Sequence, residues 1–343
     1  MIKYVQNKTI NYNALESILA ESTRLNHFTN EGPAKLLLES KLKEILKLPK
    51  RKSVVCVTNG TAALHALILF YQKRGLKRFV GPSFTFPSCN VAGFKTKLVD
   101  ISLENYLFDN EDVIIKDNDC IIITNLFGSY PKNLREILDK CKRHDTEVIL
   151  DNASSPLTMI EGENICSFGD AAFGSLHHTK YLGFGEGGFI VIDSEHEREI
   201  NEILGFGFSK SASNRVSCIK SSNFKISDIS SAAVLQHILR YDIKKHIDNQ
   251  NMFLDMLAGL KGVSAFNYNA GVVYGNLPIL FEHPMDKTIF RENQIEAHKY
   301  YYPLKRHKNS FFLYNRIINL PLHCDLQRSD IESMINVIKE VIK

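Results

Sequence analysis

Short apolar runs rich in valine, isoleucine and phenylalanine alternate along the chain with longer stretches whose apolar residues recur at helical spacing. A short run that is apolar on both faces reads as a buried strand, and such strands alternating with amphipathic helices build a mostly parallel sheet between two helical layers. The runs Ser53 to Val57, Arg78 to Gly81, Lys97 to Val99, Cys120 to Thr124, Glu147 to Leu150, Ala171 to Ser175 and Phe189 to Ile192 predict strands. Between them, Ala62 to Gln72 and Lys132 to Arg143 predict helices with one apolar face. From about Asn201 the rhythm shifts to helices, notably within Ile226 to Leu257. Short strands follow around Gly271 to Phe281 and Ile317 to Leu322, then a last helix over Asp330 to Ile342. The expectation is an α/β protein in two associated lobes: a large three-layer domain over residues 1–239 and a smaller C-terminal α+β domain over residues 240–343.

Composition narrows the classes. With 343 residues and 44% hydrophobic content the chain can bury one large core plus a smaller one. Its 42 basic and 38 acidic residues are interspersed, which disfavours nucleic acid as a partner, while the net charge of +4 suits a small anion as well as an ordinary surface. The cysteines, Cys56, Cys89, Cys120, Cys141, Cys166, Cys218 and Cys324, are odd in number and widely spaced without a Cys-x-x-Cys pair, arguing against a zinc site or a disulfide framework. No run reaches the roughly 18 apolar residues of a membrane span. The opening MIKYVQNKTINYN lacks the apolar core of a signal peptide, so a cytoplasmic, reducing setting is expected.

Three segments carry chemistry. In Val54 to Leu64 a strand passes through Asn59-Gly60-Thr61 into a helix, where free N–H groups and the helix dipole can hold a phosphate; an ordinary helix cap reads the same way. Val148-Ile149-Leu150-Asp151 sets a carboxylate at the carboxyl end of a buried strand, the edge at which doubly wound sheets bind ligands. An ionised Asp151 there calls for a cationic partner such as a protonated pyridine nitrogen, unless it caps the next helix. In Ser175-Leu176-His177-His178-Thr179-Lys180 a lysine stands beside hydroxyls and imidazoles, followed by the glycine-rich Gly183 to Gly188, whose backbone can bend tightly around a bound group. His177 and His178 would point to opposite faces of a strand, so no metal is expected.

In this order the segments resemble the DegT/StrS-type sugar aminotransferases, which are pyridoxal-phosphate enzymes of fold type I. The resemblance begins at Thr29-Asn30-Glu31-Gly32-Pro33 and continues through Asn59 to Leu64, Pro82 to Phe86, Asp151, Ser175-x-His177-x-x-Lys180 with Gly185 to Gly188, Asn223-Phe224-Lys225, Tyr302-Pro303-Leu304 and Leu320 to His323. It implies a seven-stranded sheet, pyridoxal 5′-phosphate held as a Schiff base on Lys180, and Asp151 on the pyridine nitrogen. It also implies phosphate contacts from Gly60, Thr61, Ala62 and Ser175, and Phe86 stacked on the ring. Asn223 would reach the phosphate of a neighbouring subunit, making a homodimer with shared sites. Thr29, His177, Lys225, Tyr302 and His323 are the implied substrate contacts. Ser154 stands where the family usually carries Gln or His beside the ring hydroxyl, and Lys225 where it carries Arg. The implied reaction moves an amino group from L-glutamate to a nucleotide-linked 4-keto-6-deoxyhexose, dTDP- or UDP-linked, as in viosamine or perosamine formation. Amination at C3 is the alternative within the family. A non-catalytic sensor on the same fold is disfavoured because Lys180 and Asp151 are both kept, and an amino-acid lyase or desulfurase because no arginine clamp or reactive loop cysteine can be assigned.

Overall fold

A computed structural model describes residues 1–90, 96–108, 115–208 and 220–343; Cys218 lies outside the described residues. The apolar runs form β1 (Lys52–Val57), β2 (Arg78–Pro82), β3 (Thr96–Val99), β4 (Asp119–Thr124) and β5 (Glu147–Asp151). A small hairpin, β6 (Met159–Ile160) and β7 (Glu163–Asn164), precedes β8 (Ala171–Ser175) and β9 (Gly188–Asp193). Seven of these strands make one sheet in the order β1-β9-β8-β5-β4-β2-β3, in which β9 alone runs antiparallel to its neighbours.

Period-two alternation sorts the strand residues onto two buried faces. Val54, Cys56, Ile121, Ile123, Val148 and Leu150 share a core with Leu38 and Leu42 of α2 (Pro33–Ile45), Leu134 and Ile137 of α4 (Leu134–Arg143), and Val234 and Leu235 of α6 (Asp228–Ile238). Val55, Val57, Ile122, Ile149, Phe173 and Ile190 pack instead with Leu67 and Phe70 of α3 (Gly60–Lys73) and Ile200 and Ile203 of α5 (Glu197–Leu204). The result is the expected three-layer α/β unit.

Beyond it, β10 (Val263–Ala265), β11 (Leu277–Phe281) and β12 (Ile317–Leu320) form an antiparallel sheet. Its core takes Phe253 from α7 (Ile243–Leu257), Phe290 from α8 (Thr288–Glu292), Leu313 from α9 (Lys308–Arg316) and Ile331 and Ile335 from α10 (Arg328–Val341). The same cluster includes Phe84, Leu126 and Phe127, on the loops beyond β2 and β4. The loops at the carboxyl edge of the large sheet are therefore packed by the second core, and the cleft they line inherits its rigidity.

Several helices went unread in the sequence, among them α5, α8, α9 and the first two of the chain. The first, α1 (Tyr12–Leu25), is mostly exposed and opens on Asn11, whose side chain accepts from the Ala14 N–H at 3.1 Å. The next, α2, begins Gly32-Pro33 without a capping side chain of its own. Its cap comes from Asp228, which accepts from the Ala34 and Lys35 amides at 3.0 and 3.1 Å and from Ser22 Oγ at 2.6 Å. A side chain on residue 32 would run into that carboxylate, which explains the glycine before the proline.

Asp228→Ala leaves three donors without their acceptor in a fully buried pocket. Urea unfolding of the variant should show a loss of about 3 kcal/mol, with α1 and α2 the first segments to exchange amide hydrogens.

Candidate active site

The carboxyl ends of β4, β5 and β8 lie side by side and deliver Thr124, Asp151 and Ser175 to one edge. Asp151 is 6% exposed; its Oδ1 accepts from the Ala153 amide at 3.0 Å, and its Oδ2 receives a long 3.5 Å contact from Thr124 Oγ1. Thr124 Oγ1 lies 2.9 Å from Thr85 Oγ1, so a hydroxyl pair from the end of β4 and the loop after β2 shields the carboxylate. Burial pushes the Asp151 carboxyl up to about 6, against the Ala153 N–H, the attraction of Lys180 and the Thr124 hydroxyl. Lys180 is partly buried, and desolvation lowers its pKa while the Asp151 charge opposes the shift. The two residues singled out for chemistry thus face one another electrostatically, one as anion and one as an amine eased toward its neutral, nucleophilic form.

Lys180 sits on a tight turn: its N–H donates to the His177 carbonyl and its own carbonyl accepts from Gly183 N–H, both at 2.8 Å. Beside the ends of β8 and β9, α3 starts at Gly60, and Asn59 Oδ1 accepts from the Ala62 amide at 2.9 Å. Of the three amides expected to meet a phosphate, that of Ala62 is thus already engaged. Ser175 is half-buried, and a β-carbon added at Gly60 would come within 3.2 Å of the Ser175 β-carbon.

The aromatic wall includes a ring that the sequence did not single out, Tyr301. Phe86 is 53% exposed and meets Tyr301 edge-on, with ring centroids 6.1 Å apart. Tyr301 stacks on Phe127 at 5.9 Å and 8°, and its hydroxyl, bonded to the Ser154 side chain, is raised by burial and then by the Asp151 charge. Of Tyr300-Tyr301-Tyr302, Tyr301 is thus the ring turned toward Ser154 and Asp151, while Tyr302, the expected substrate contact, is 63% exposed and packs edge-on against Phe311 and Tyr314 of α9. His323, also expected as a substrate contact, lies inside the fold. It is 7% exposed, with Nε2 3.1 Å from the Lys3 carbonyl, so its ring lies beneath the N-terminal segment and is not presented to a substrate.

The other expected contacts are on the surface. Thr29 is exposed, and His177 carries Thr179 Oγ1 on Nδ1 at 2.9 Å and Glu186 at 3.6 Å from Nε2. Lys225 Nζ lies 4.7 Å above the Phe206 ring. Asn223 pairs with Gly205 and Lys225 with Val57, which ties this segment to the end of β1 beside Asn59. Among the described residues no group of His, Cys, Asp and Glu side chains converges as a metal site, and no helix is long and apolar enough to cross a membrane.

The residues fit pyridoxal 5′-phosphate. A buried carboxylate that desolvation disfavours gains a partner in a pyridinium nitrogen, a helix N-terminus is available to the phosphate, and an amine of lowered pKa stands at the same edge. With the three-layer sheet this defines the fold-type I class of pyridoxal-phosphate enzymes. The sequence profile of the DegT/DnrJ/EryC1/StrS aminotransferase family matches residues 12–339, and the chain belongs to that family, as a sugar aminotransferase dependent on pyridoxal phosphate. It is 25% identical over 355 residues to a dTDP-4-amino-4,6-dideoxy-D-glucose transaminase of Shigella dysenteriae, covering 92% of each chain. To a UDP-N-acetyl-3-dehydro-alpha-D-glucosamine 3-aminotransferase of Acidithiobacillus ferrooxidans it is 23% identical, covering 83% of each. The crystal structure of the sugar aminotransferase CalS13 from Micromonospora echinospora superimposes with a TM-score of 0.85 at 19% identity, over 99% of this chain and 100% of that one.

Because Asp151 binds its proton more tightly in the fold than its ordinary value of 3.8, its ionisation lowers stability as pH rises from about 4 to about 6. The cofactor-free Asp151→Asn protein should therefore be the more stable one at pH 7.5, by about 2 kcal/mol in urea titrations, with the difference fading at pH 4. Its turnover with cofactor should fall on the order of 10²-fold.

Proposed function

We propose that the protein transfers an amino group from L-glutamate to a nucleotide-linked 4-keto-6-deoxyhexose, dTDP- or UDP-linked, yielding a 4-amino-4,6-dideoxy sugar nucleotide such as the viosamine form. The observation that carries this reading is the similarity, over 92% of both chains, to a transaminase named for that sugar. Amination at C3 is the second reading, favoured by the similarity to a 3-aminotransferase over 83% of both chains.

In this reading Lys180 Nζ holds the cofactor at rest. Freed by the donor amine, Nζ takes the proton from the carbon that bears the donor nitrogen and, in the second half-reaction, returns one to the sugar carbon that receives it. Asp151 keeps the ring nitrogen protonated. When bound, pyridoxal phosphate supplies the electron sink that spreads the negative charge left by proton removal. Gly60, Thr61 and Ser175 hold the phosphate, with Ala62 contributing helix dipole rather than a free amide. Phe86 would cover the ring, while Ser154 and Tyr301 would bond its hydroxyl. Thr29, His177 and Lys225 are on surfaces open to the sugar nucleotide. Exposed apolar side chains, Leu36 and Leu37 on α2 and Phe206 and Phe208 after α5, support a homodimer in which Asn223 completes the second copy's site.

Borohydride reduction followed by peptide mass spectrometry should fix the cofactor on Lys180, and attachment to any other lysine would refute the assignment. Incubation with glutamate and a panel of dTDP-, UDP- and GDP-linked keto sugars should give a 4-amino product by mass spectrometry and NMR; exclusive amination at C3 would favour the second reading. Mixing the inactive Lys180→Ala protein with an impaired Asn223→Ala protein, with subunit exchange verified, should restore activity if sites are shared. Exchange without recovery would confine Asn223 to its own subunit.

A further inference from the structure

The N-terminal segment hangs from the smaller lobe. Ile2 donates its N–H to the Gln294 carbonyl at 2.7 Å and accepts from the Glu296 N–H at 3.0 Å, the Tyr4 N–H meets Glu296 Oε2 at 2.9 Å, and Gln6 Nε2 meets Asp325 Oδ1 at 3.0 Å. Past these anchors the chain crosses to the large domain, where the Asn11 N–H meets Gln236 Oε1 at 3.2 Å. Between the two attachments lies Lys8. Its Nζ donates to the carbonyl oxygens of His178 at 2.8 Å, Lys180 at 2.6 Å and Gly183 at 2.5 Å. An ammonium has three N–H donors, and all three are matched. Among the described residues no carboxylate forms an ion pair with it, so the backbone oxygens of the Lys180 turn are its counter-charge.

We propose that Lys8 is a positioning residue for Lys180: its ammonium gathers the carbonyl oxygens of residues 178, 180 and 183 and fixes the turn from which the Lys180 side chain reaches toward Asp151. The inference rests on Lys180 as the cofactor-holding lysine. The turn's own bonds are few: His178 N–H to Gly185, Lys180 N–H to His177, Gly183 N–H to Lys180 and Phe184 N–H to Leu176. Its carbonyl oxygens at 178 and 183 point outward from these, and Lys8 closes them. A guanidinium spreads its donors over a plane and cannot converge three of them on a point in the same way. Burial holds Lys8 down to about 8, as expected of a cation drawn out of water to meet backbone oxygens. Because the segment is anchored on residues 294–296 and 325, the position of the smaller lobe is transmitted to the lysine.

The test reads hydrogen–deuterium exchange in the cofactor-free protein. In Lys8→Met the amides of residues 178–184 should exchange at least tenfold faster than in the wild type, while those of β4 and β5 keep their rates. In the loaded enzyme kcat should fall at least tenfold with little change in the donor KM, and borohydride trapping at Lys180 should slow in parallel. Unchanged exchange in the turn overturns the proposal, as does a uniform rise across turn and sheet, which would make Lys8 a general stabiliser. Should Lys8→Met fail to fold, Lys8→Arg is measured in the same way: selective loss of protection in the turn supports the proposal, and wild-type protection refutes it. Exchange is read without cofactor, so trapping on another lysine would refute the Lys180 assignment while leaving the structural result to stand or fall by itself.

Discussion

A carboxylate held dry at the end of a buried strand is the constraint on which the site depends. Asp151 closes β5, the central strand of the large sheet by order, and burial works against its charge. Left alone, the group would take up a proton, since removing an ion from water costs several kcal/mol before any partner offsets it. Its fixed partners do not suffice: one backbone N–H, a distant hydroxyl and the attraction of Lys180 still leave it easier to protonate than a free carboxyl. The remaining compensation has to come from a cation, and in the proposed role a pyridinium nitrogen would supply one without needing to shed a large hydration shell. Cofactor affinity and electron withdrawal from the ring would then be two consequences of one unfavourable burial.

The surroundings make sense as measures that keep this arrangement rigid. Phe127 follows β4 with φ of 60°, a left-handed conformation that a bulky residue adopts at a cost of about 1 to 3 kcal/mol. That conformation is held in place because the ring is buried in the second core and stacked on Tyr301. Tyr301 in turn carries its hydroxyl to Ser154 beside Asp151. The smaller lobe therefore builds one wall of the site through an aromatic stack, and any shift of that lobe would be felt at the carboxylate. The coupling is mechanical packing between closely fitted rings, which tolerates little displacement.

The sheet was legible because its strands are apolar on both faces: each of the seven runs lies within one residue of its observed limits at either end. Asp151 stood out as a candidate because it closes a buried strand, and Lys180 because hydroxyls, imidazoles and glycines crowd it in sequence. The helices α1 and α2 were not, since α1 is nearly all exposed and the cap of α2 comes from Asp228, almost two hundred residues away in sequence. Tyr301 was missed for a geometric reason: in three consecutive tyrosines only the backbone path decides which ring turns inward. His323 was misplaced because a histidine after Pro321-Leu322 looks accessible until the N-terminal segment is laid over it. Lys8 carried no signal at all, being one lysine in a polar stretch whose acceptors are backbone oxygens that no side-chain pattern announces.

The glycines after Lys180 show the same limit from the other direction. A glycine-rich turn beside a lysine suggests a cradle for a bound group, yet a side chain at Gly183 would strike the backbone of Leu176 and His177, and one at Gly188 would strike the backbone of Asn59 and Gly60. Gly188 pairs with Val57 at the end of β1, so its missing side chain is what lets the Asn59-Gly60 turn lie against β9. Gly174 similarly leaves room for the Phe189 ring. These glycines bring protein backbone to protein backbone, and the cofactor would meet the surfaces they bring together instead of the glycines themselves. Of the segment, Gly185 alone has a left-handed φ, 64°, with open space around it. The close approach of the lysine turn, β9 and the start of α3 is thus set by contacts within the protein itself, which is what a preorganised site requires.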